Sequence, residues 1–119
     1  MNNRVVIRSL VTREGNLVAM DDGAIVWRPT LGTRVQIKLE AVATVLLAVK
    51  GPTGCYDMVA VGDSTGGISI LSLPRLDTID KFSIEGGIVR SLNAVHGSSR
   101  KFLAAAQDGS VWVIGNEVP

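Results

Sequence analysis

Leu17-Val18-Ala19-Met20-Asp21-Asp22-Gly23-Ala24-Ile25-Val26-Trp27 is the stretch whose reading decides the fold. Small apolar residues run into an Asp-Gly pair and out again into β-branched ones, the pattern of a β-hairpin. Asp-Gly supplies a positive φ at little cost. The pattern returns as Met58-Val59-Ala60-Val61-Gly62-Asp63-Ser64-Thr65-Gly66-Gly67-Ile68-Ser69-Ile70, and again as Phe102-Leu103-Ala104-Ala105-Ala106-Gln107-Asp108-Gly109-Ser110-Val111-Trp112-Val113. Gly23, Gly66 and Gly109 are spaced by 43 residues, as are Ile25, Ile68 and Val111. In the second copy Ser64-Thr65-Gly66 replaces Asp-Gly, which predicts a longer turn. A fixed period near 40 signals stacked supersecondary units, none able to bury its own apolar faces alone.

The segments between hairpins align as well. Ala43-Thr44-Val45-Leu46-Leu47-Ala48-Val49 matches Val89-Arg90-Ser91-Leu92-Asn93-Ala94-Val95, and Ile7-Arg8-Ser9-Leu10 matches Val89-Arg90-Ser91-Leu92. Each repeat therefore reads as a four-stranded meander. Its first strand is Val6 to Leu10, Thr44 to Val49 or Ile88 to Val95, the hairpin supplies the second and third, and Arg34 to Leu39 or Thr78 to Ile84 is the fourth. With 16 Val, 9 Ile and 13 Gly, the chain reads as nearly all strand and turn.

These repeats resemble WD-repeat-like β-propeller blades over essentially the whole chain. Glu40 and Glu85-Gly86-Gly87 stand where that family has Gly-His, and Trp27-Arg28 and Val113-Ile114 where it has Trp-Asp. His96 follows the first strand, so it is not carried over as the family's structural histidine. The resemblance implies an all-β fold of three four-stranded antiparallel blades, the third incomplete. They would occupy residues 5–40, 41–85 and 86–119 of a single partial propeller domain spanning 1–119.

Propellers close with four to eight blades, because each blade must be covered on both faces. Three blades leave two apolar faces open, and two copies related by a twofold axis would make six. The expectation is a homodimer forming one six-bladed ring; the alternative is a heteromeric ring completed by a second propeller-forming chain. Only Gly115 to Pro119 follow the last strand, so Ser110 to Ile114 is expected to be an open edge able to take a partner strand. Pairing by residues 1–5 or 116–119 is the other way to cover it.

The composition narrows the function classes. A net charge of +1 lacks the basic field that nucleic acid requires. The longest nearly apolar run, Ala41 to Val49, is far shorter than the ~20 residues of a membrane helix. The charged start Met1-Asn2-Asn3-Arg4 is unlike a secretory signal, and Cys55, the single cysteine, has no internal disulfide partner; both point to the cytoplasm. A charged fraction of 19% with a mean hydropathy of +0.31 leaves apolar surface for burial against another chain. Charge is uneven: residues 1–38 carry six basic and three acidic side chains, residues 51–85 two and five.

No catalytic, cofactor or metal residues emerge. One His and one Cys do not build a zinc site, and Asp21-Asp22 lacks the alternating ligands of a calcium loop. Gly62 to Gly67 looks like a phosphate loop or nucleophile turn, but a strand follows it rather than a helix, and no Lys is present. The candidate interface residues are Arg8 and Arg90, read as equivalent positions near the inner strands, together with Trp27, Val111, Trp112 and Val113 on third strands. The function expected is a non-enzymatic protein-protein interaction scaffold that closes its propeller by oligomerisation. The alternative is a ligand-binding, lectin-like propeller, against which stands an aromatic content of 4%.

Overall fold

A computed structural model of the chain describes residues 5–50, 54–95 and 101–115. Eleven strands form three antiparallel sheets. Sheet one runs β1 (Val6–Val11), β2 (Gly15–Met20), β3 (Ala24–Pro29), β4 (Val35–Lys38), paired in chain order. Sheet two repeats this with β5 (Ala43–Lys50), β6 (Tyr56–Asp63), β7 (Gly67–Ser72) and β8 (Thr78–Ser83). Sheet three has β9 (Val89–Ala94), β10 (Lys101–Ala106) and β11 (Val111–Gly115), with no fourth strand among the described residues. Contacts between sheets run through the first strands, β1 to β5 and β5 to β9, so these lie innermost.

The 43-residue spacing translates into identical registers. Ala19 pairs with Ile25, Gly62 with Ile68 and Ala105 with Val111. All three turns thus have the same length, and the longer second turn expected from Ser64-Thr65-Gly66 does not occur. In each turn the glycine N–H donates three residues back, Gly23 to Met20, Gly66 to Asp63 and Gly109 to Ala106, with φ of +91°, +89° and +91°. The residue after each glycine donates its N–H to an aspartate: Ala24 to Asp22 (3.0 Å), Gly67 to Asp63 (2.9 Å) and Ser110 to Asp108 (2.8 Å). In the second turn the aspartate sits two positions earlier and performs the same task. Its Oδ1 also accepts from the Thr65 N–H and hydroxyl.

Strand alternation gives each sheet two apolar faces. Leu17, Ala19, Ile25 and Trp27 of sheet one bury themselves against Val59, Val61 and Leu71 of sheet two. Leu76, from the turn between β7 and β8, closes that layer with φ of +60°. On its other side sheet two sets Ala60, Ile68 and Ile70 against Leu92, Phe102, Ala104 and Ile114 of sheet three. Where sheets converge the residues are small: a Cβ on Gly62 would lie 2.5 Å from Val89 Cγ1. Each first strand carries one bulged residue, Ile7, Thr44 or Arg90, skipped by the pairing on either side. The bulge at Thr44 ties the three sheets together. Arg8 Nε donates to the Thr44 carbonyl at 2.9 Å, and the Thr44 hydroxyl donates to the Val89 carbonyl at 2.5 Å.

Two predictions follow from the turns. A Cβ on Gly66 would lie 2.5 Å from the Ile84 carbonyl oxygen, where the fourth strand crosses, whereas one on Gly109 meets nothing within 4 Å. Gly66→Ala is therefore expected to cost about 2 to 4 kcal/mol and Gly109→Ala about 1 kcal/mol in urea denaturation, the shared cost being the positive φ. Equal losses would contradict a fourth strand that distinguishes the two turns. Hydrogen bonds from the Ser110 hydroxyl, then from its N–H, hold the exposed Asp108 carboxyl below its ordinary value. Such a group supports the folded state above its unfolded-state pKa and loses that contribution as pH falls through the lowered one. A carboxyl ¹³C titration is expected to find Asp108 low, and Ser110→Ala to return it upward.

Candidate functional site: the open face of sheet three and the seam between sheets one and two

The three sheets repeat one face-to-face rule, so the face left open is identifiable position by position. In register, Leu17, Ala60 and Leu103 are equivalent, as are Ile25, Ile68 and Val111, and Trp27, Ile70 and Val113. In sheets one and two these side chains cover the following sheet. In sheet three they cover nothing among the described residues: Val111 and Val113 are each 66% exposed, against 0% for Ile25 and Ile68, 2% for Trp27 and 4% for Ile70. At the other end, the far face of sheet one carries a separate cluster of Met20, Ala24 and Val26, all buried, with Val18 packed against it and Val6, paired beside Met20, exposed.

The candidate interface residues fall into different places. Val111 and Val113 lie on the open face of sheet three. Trp112 sits opposite Ala104 on the reverse face, toward sheet two, and donates its indole N–H to the Ser110 hydroxyl at 3.0 Å. Trp27 is buried between sheets one and two. Arg8 and Arg90 are not equivalent, contrary to the sequence alignment: Arg8 matches Val45 and Ser91 in register, whereas Arg90 is the bulged residue that matches Ile7 and Thr44. Arg8 is held by the Thr44 and Ile7 carbonyls, and Arg90 is exposed. His96 lies outside the described residues, as do residues 1–4 and 116–119, the segments proposed to cover the edge of β11. The Gly62 to Gly67 segment is the β6–β7 turn, its carboxylate occupied by Thr65 and Gly67. Among the described residues no group of three or more His, Cys, Asp or Glu is placed to hold a metal, and no helix is long and apolar enough to cross a membrane.

Sequence reasoning missed the seam between sheets one and two. At the end of the sheets bearing the β1–β2 and β3–β4 loops, a cavity of about 230 Å³ opens, lined by Glu14, Trp27, Leu31, Tyr56, Leu73 and Pro74 among others. A second, of about 480 Å³, shares Glu14 and Tyr56 and adds Arg13 and Lys50. The Lys50 ammonium lies 5.4 Å from the centre of the Tyr56 ring. The Trp27 Nε1 and Glu14 Oε2 atoms are both buried with no hydrogen-bond partner among the described residues.

No established protein family matches the chain, and no curated protein matches it. Among solved structures it is similar to the β-propeller domain of Cps50 (Swd1) from Myceliophteria thermophila. That likeness has 17% identity and a TM-score of 0.67, over 94% of this chain and 38% of that one. It is also similar to BBS1N, solved in complex with ARL6DN, at 12% identity and a TM-score of 0.71, over 91% of this chain and 33% of that one. The three sheets are propeller blades, and the chain spans 33% to 38% of the structures it matches.

Proposed function

We propose that this chain is a propeller sector that completes its ring with a second copy of itself, and that the six-bladed ring is a non-enzymatic scaffold for protein partners in the cytoplasm. Val111 and Val113 carry the reading: they are exposed at the two positions where both other blades bury a large apolar side chain. Burying the remaining surface of each valine contributes about 1 to 2 kcal/mol. What such a face covers, at both internal junctions, is the reverse face of the next blade. On this chain the reverse face that meets no other sheet among the described residues is that of sheet one, where Val6 is exposed beside a cluster of Met20, Ala24 and Val26 that is already buried. Two copies joined through a twofold axis satisfy both faces at once, by two identical junctions. A non-enzymatic role is supported by an apolar surface arranged for packing, and a cytoplasmic one by the exposed free thiol of Cys55.

Native mass spectrometry and size exclusion with light scattering are expected to find two copies at micromolar concentration. Val113→Asp places a carboxylate in the new junction and is expected to weaken association at least about a hundredfold. A stable wild-type monomer would overturn the homodimer, and one copy paired with a different propeller-forming chain would replace it by a mixed ring.

A further inference from the structure

We infer that the outer edge of β11 is a docking site for an extended segment of a partner protein, which adds to sheet three as its fourth strand and is read through alternate apolar side chains. Among the described residues nothing pairs with that edge, whereas β4 and β8 occupy the equivalent edge of the other two sheets. Exposure along β11 follows the unpaired edge and not only the open face. The open face accounts for Val111 and Val113, but Trp112 lies on the other side, toward sheet two, and is still 36% exposed. Its equivalents in register are Val26, 1% exposed on a face that meets no other sheet among the described residues, and Ser69, 5% exposed. What flanks those two is the fourth strand, with Gln36 beside Val26 and Lys81 beside Ser69.

The backbone of the edge is set for a strand. The Ala106 N–H donates to the Ser110 carbonyl, and bonded pairs alternate along an antiparallel ladder, so Trp112 and Ile114 bond to β10 while Val111 and Val113 turn their N–H and C=O groups outward. Edges of this kind recruit strands. The turn gives the incoming backbone a path. Leu39 and Ile84 donate their N–H groups to the Gly23 and Gly66 carbonyls at 2.8 and 2.9 Å, and their own carbonyl oxygens pass so close that a Cβ on either glycine would lie 2.7 or 2.5 Å away. Gly109 repeats this turn, with φ of +91°, and a Cβ there meets nothing within 4 Å. Water satisfies the outward groups but leaves Val111, Trp112 and Val113 bare; a strand answers both needs.

The two fourth strands define what the edge accepts. Ile37 lies opposite Ile25 and Phe82 opposite Ile68, the positions equivalent to Val111. Two residues on, Leu39 and Ile84 reach the glycine, and all four side chains join the apolar layers between sheets. At the position equivalent to Trp112 the facing residues are Gln36 and Lys81, long side chains with a polar end and a stem that covers its neighbour. Read from its N-terminus, the segment is therefore Gln or Lys, a large apolar residue, any residue, and a second apolar one, running antiparallel to β11. Because the first strands lie innermost, β11 is the outermost strand of sheet three, and its edge stays accessible whether or not a second copy covers the face.

The test uses the ¹⁵N-labelled full chain and two blocked peptides that copy residues 35–39 and 80–84, acetyl-Val-Gln-Ile-Lys-Leu-amide and acetyl-Asp-Lys-Phe-Ser-Ile-amide. Titration is expected to shift the Val111 and Val113 amide protons downfield with saturation, and to move the indole signal of Trp112 while leaving that of Trp27. N-methylation of the isoleucine in the first peptide, whose N–H faces β11 in this register, is expected to weaken binding at least about tenfold. N-methylation of the lysine beside it, whose N–H faces away, is expected to change binding less than about threefold. Gly109→Ala should keep the dispersed spectrum of the folded chain and weaken both peptides at least about tenfold, because its Cβ meets their backbone. The proposal is overturned if neither peptide gives a saturable shift at millimolar concentration, if the two N-methylated peptides bind alike, or if Gly109→Ala binds as the wild type does. It is equally overturned if the Val111 and Val113 amides of the free chain are protected from hydrogen exchange, which assigns the edge to the chain's own residues or to a second copy. Light scattering on the same samples counts the copies, so ring closure and strand docking are read separately.

Discussion

A sheet whose two faces are both apolar has no stable existence in water until both are covered. Sheet two shows the constraint fully met, with Val59, Val61 and Leu71 buried on one side and Ala60, Ile68 and Ile70 on the other. The hydrogen bonds within each sheet fix its strands but not the position of one sheet on the next. That is set by side-chain layers and by a small number of polar ties at the inner strands, Arg8 to Thr44 and Thr44 to Val89. The turns serve the same end. They bring β-branched third strands into one register, so that every blade offers its neighbour the same relief.

Much of this was legible in the sequence because it is periodic. The spacing of Gly23, Gly66 and Gly109 encodes the register directly, and the alternation within Leu17 to Trp27 encodes two buried faces. The reading failed where one residue does another's work. Asp63 satisfies the same N–H group as Asp22 and Asp108 from a different position, which made an identical turn look longer. It failed again at the inner strands, where Arg8 was matched to Arg90: the β1–β2 and β9–β10 connections differ in length, so the spacing that anchors the hairpins does not extend to the first strand, and the match slipped by one residue. The seam left no sequence signal. Glu14 and Trp27 of sheet one meet Tyr56, Leu73 and Pro74 of sheet two only because the two sheets converge, a property of the folded chain alone.

The blade architecture separates two kinds of surface. The open face of sheet three is apolar and broad, whereas the seam between sheets one and two is a narrow recess walled by Trp27, Tyr56, Leu73 and Pro74 among others. Val111 and Val113 belong to the first kind and Trp27 to the second, although all three lie on third strands and Trp27 and Val113 are equivalent in register. A single structural position is thus buried or exposed according to what lies across from it.

The small residues on the second strands, Ala19, Gly62 and Ala105, have a geometric reach beyond local fit. Where two sheets meet near the axis, the bulk of the side chains between them sets how far the sheets splay apart toward the rim. Slender residues at the narrow end permit a steep wedge, and steep wedges fill a circle in few sectors. Bulkier ones would flatten the wedge and demand a larger wheel. The circumference of any ring such blades complete is in this way governed by some of the least conspicuous side chains in the chain.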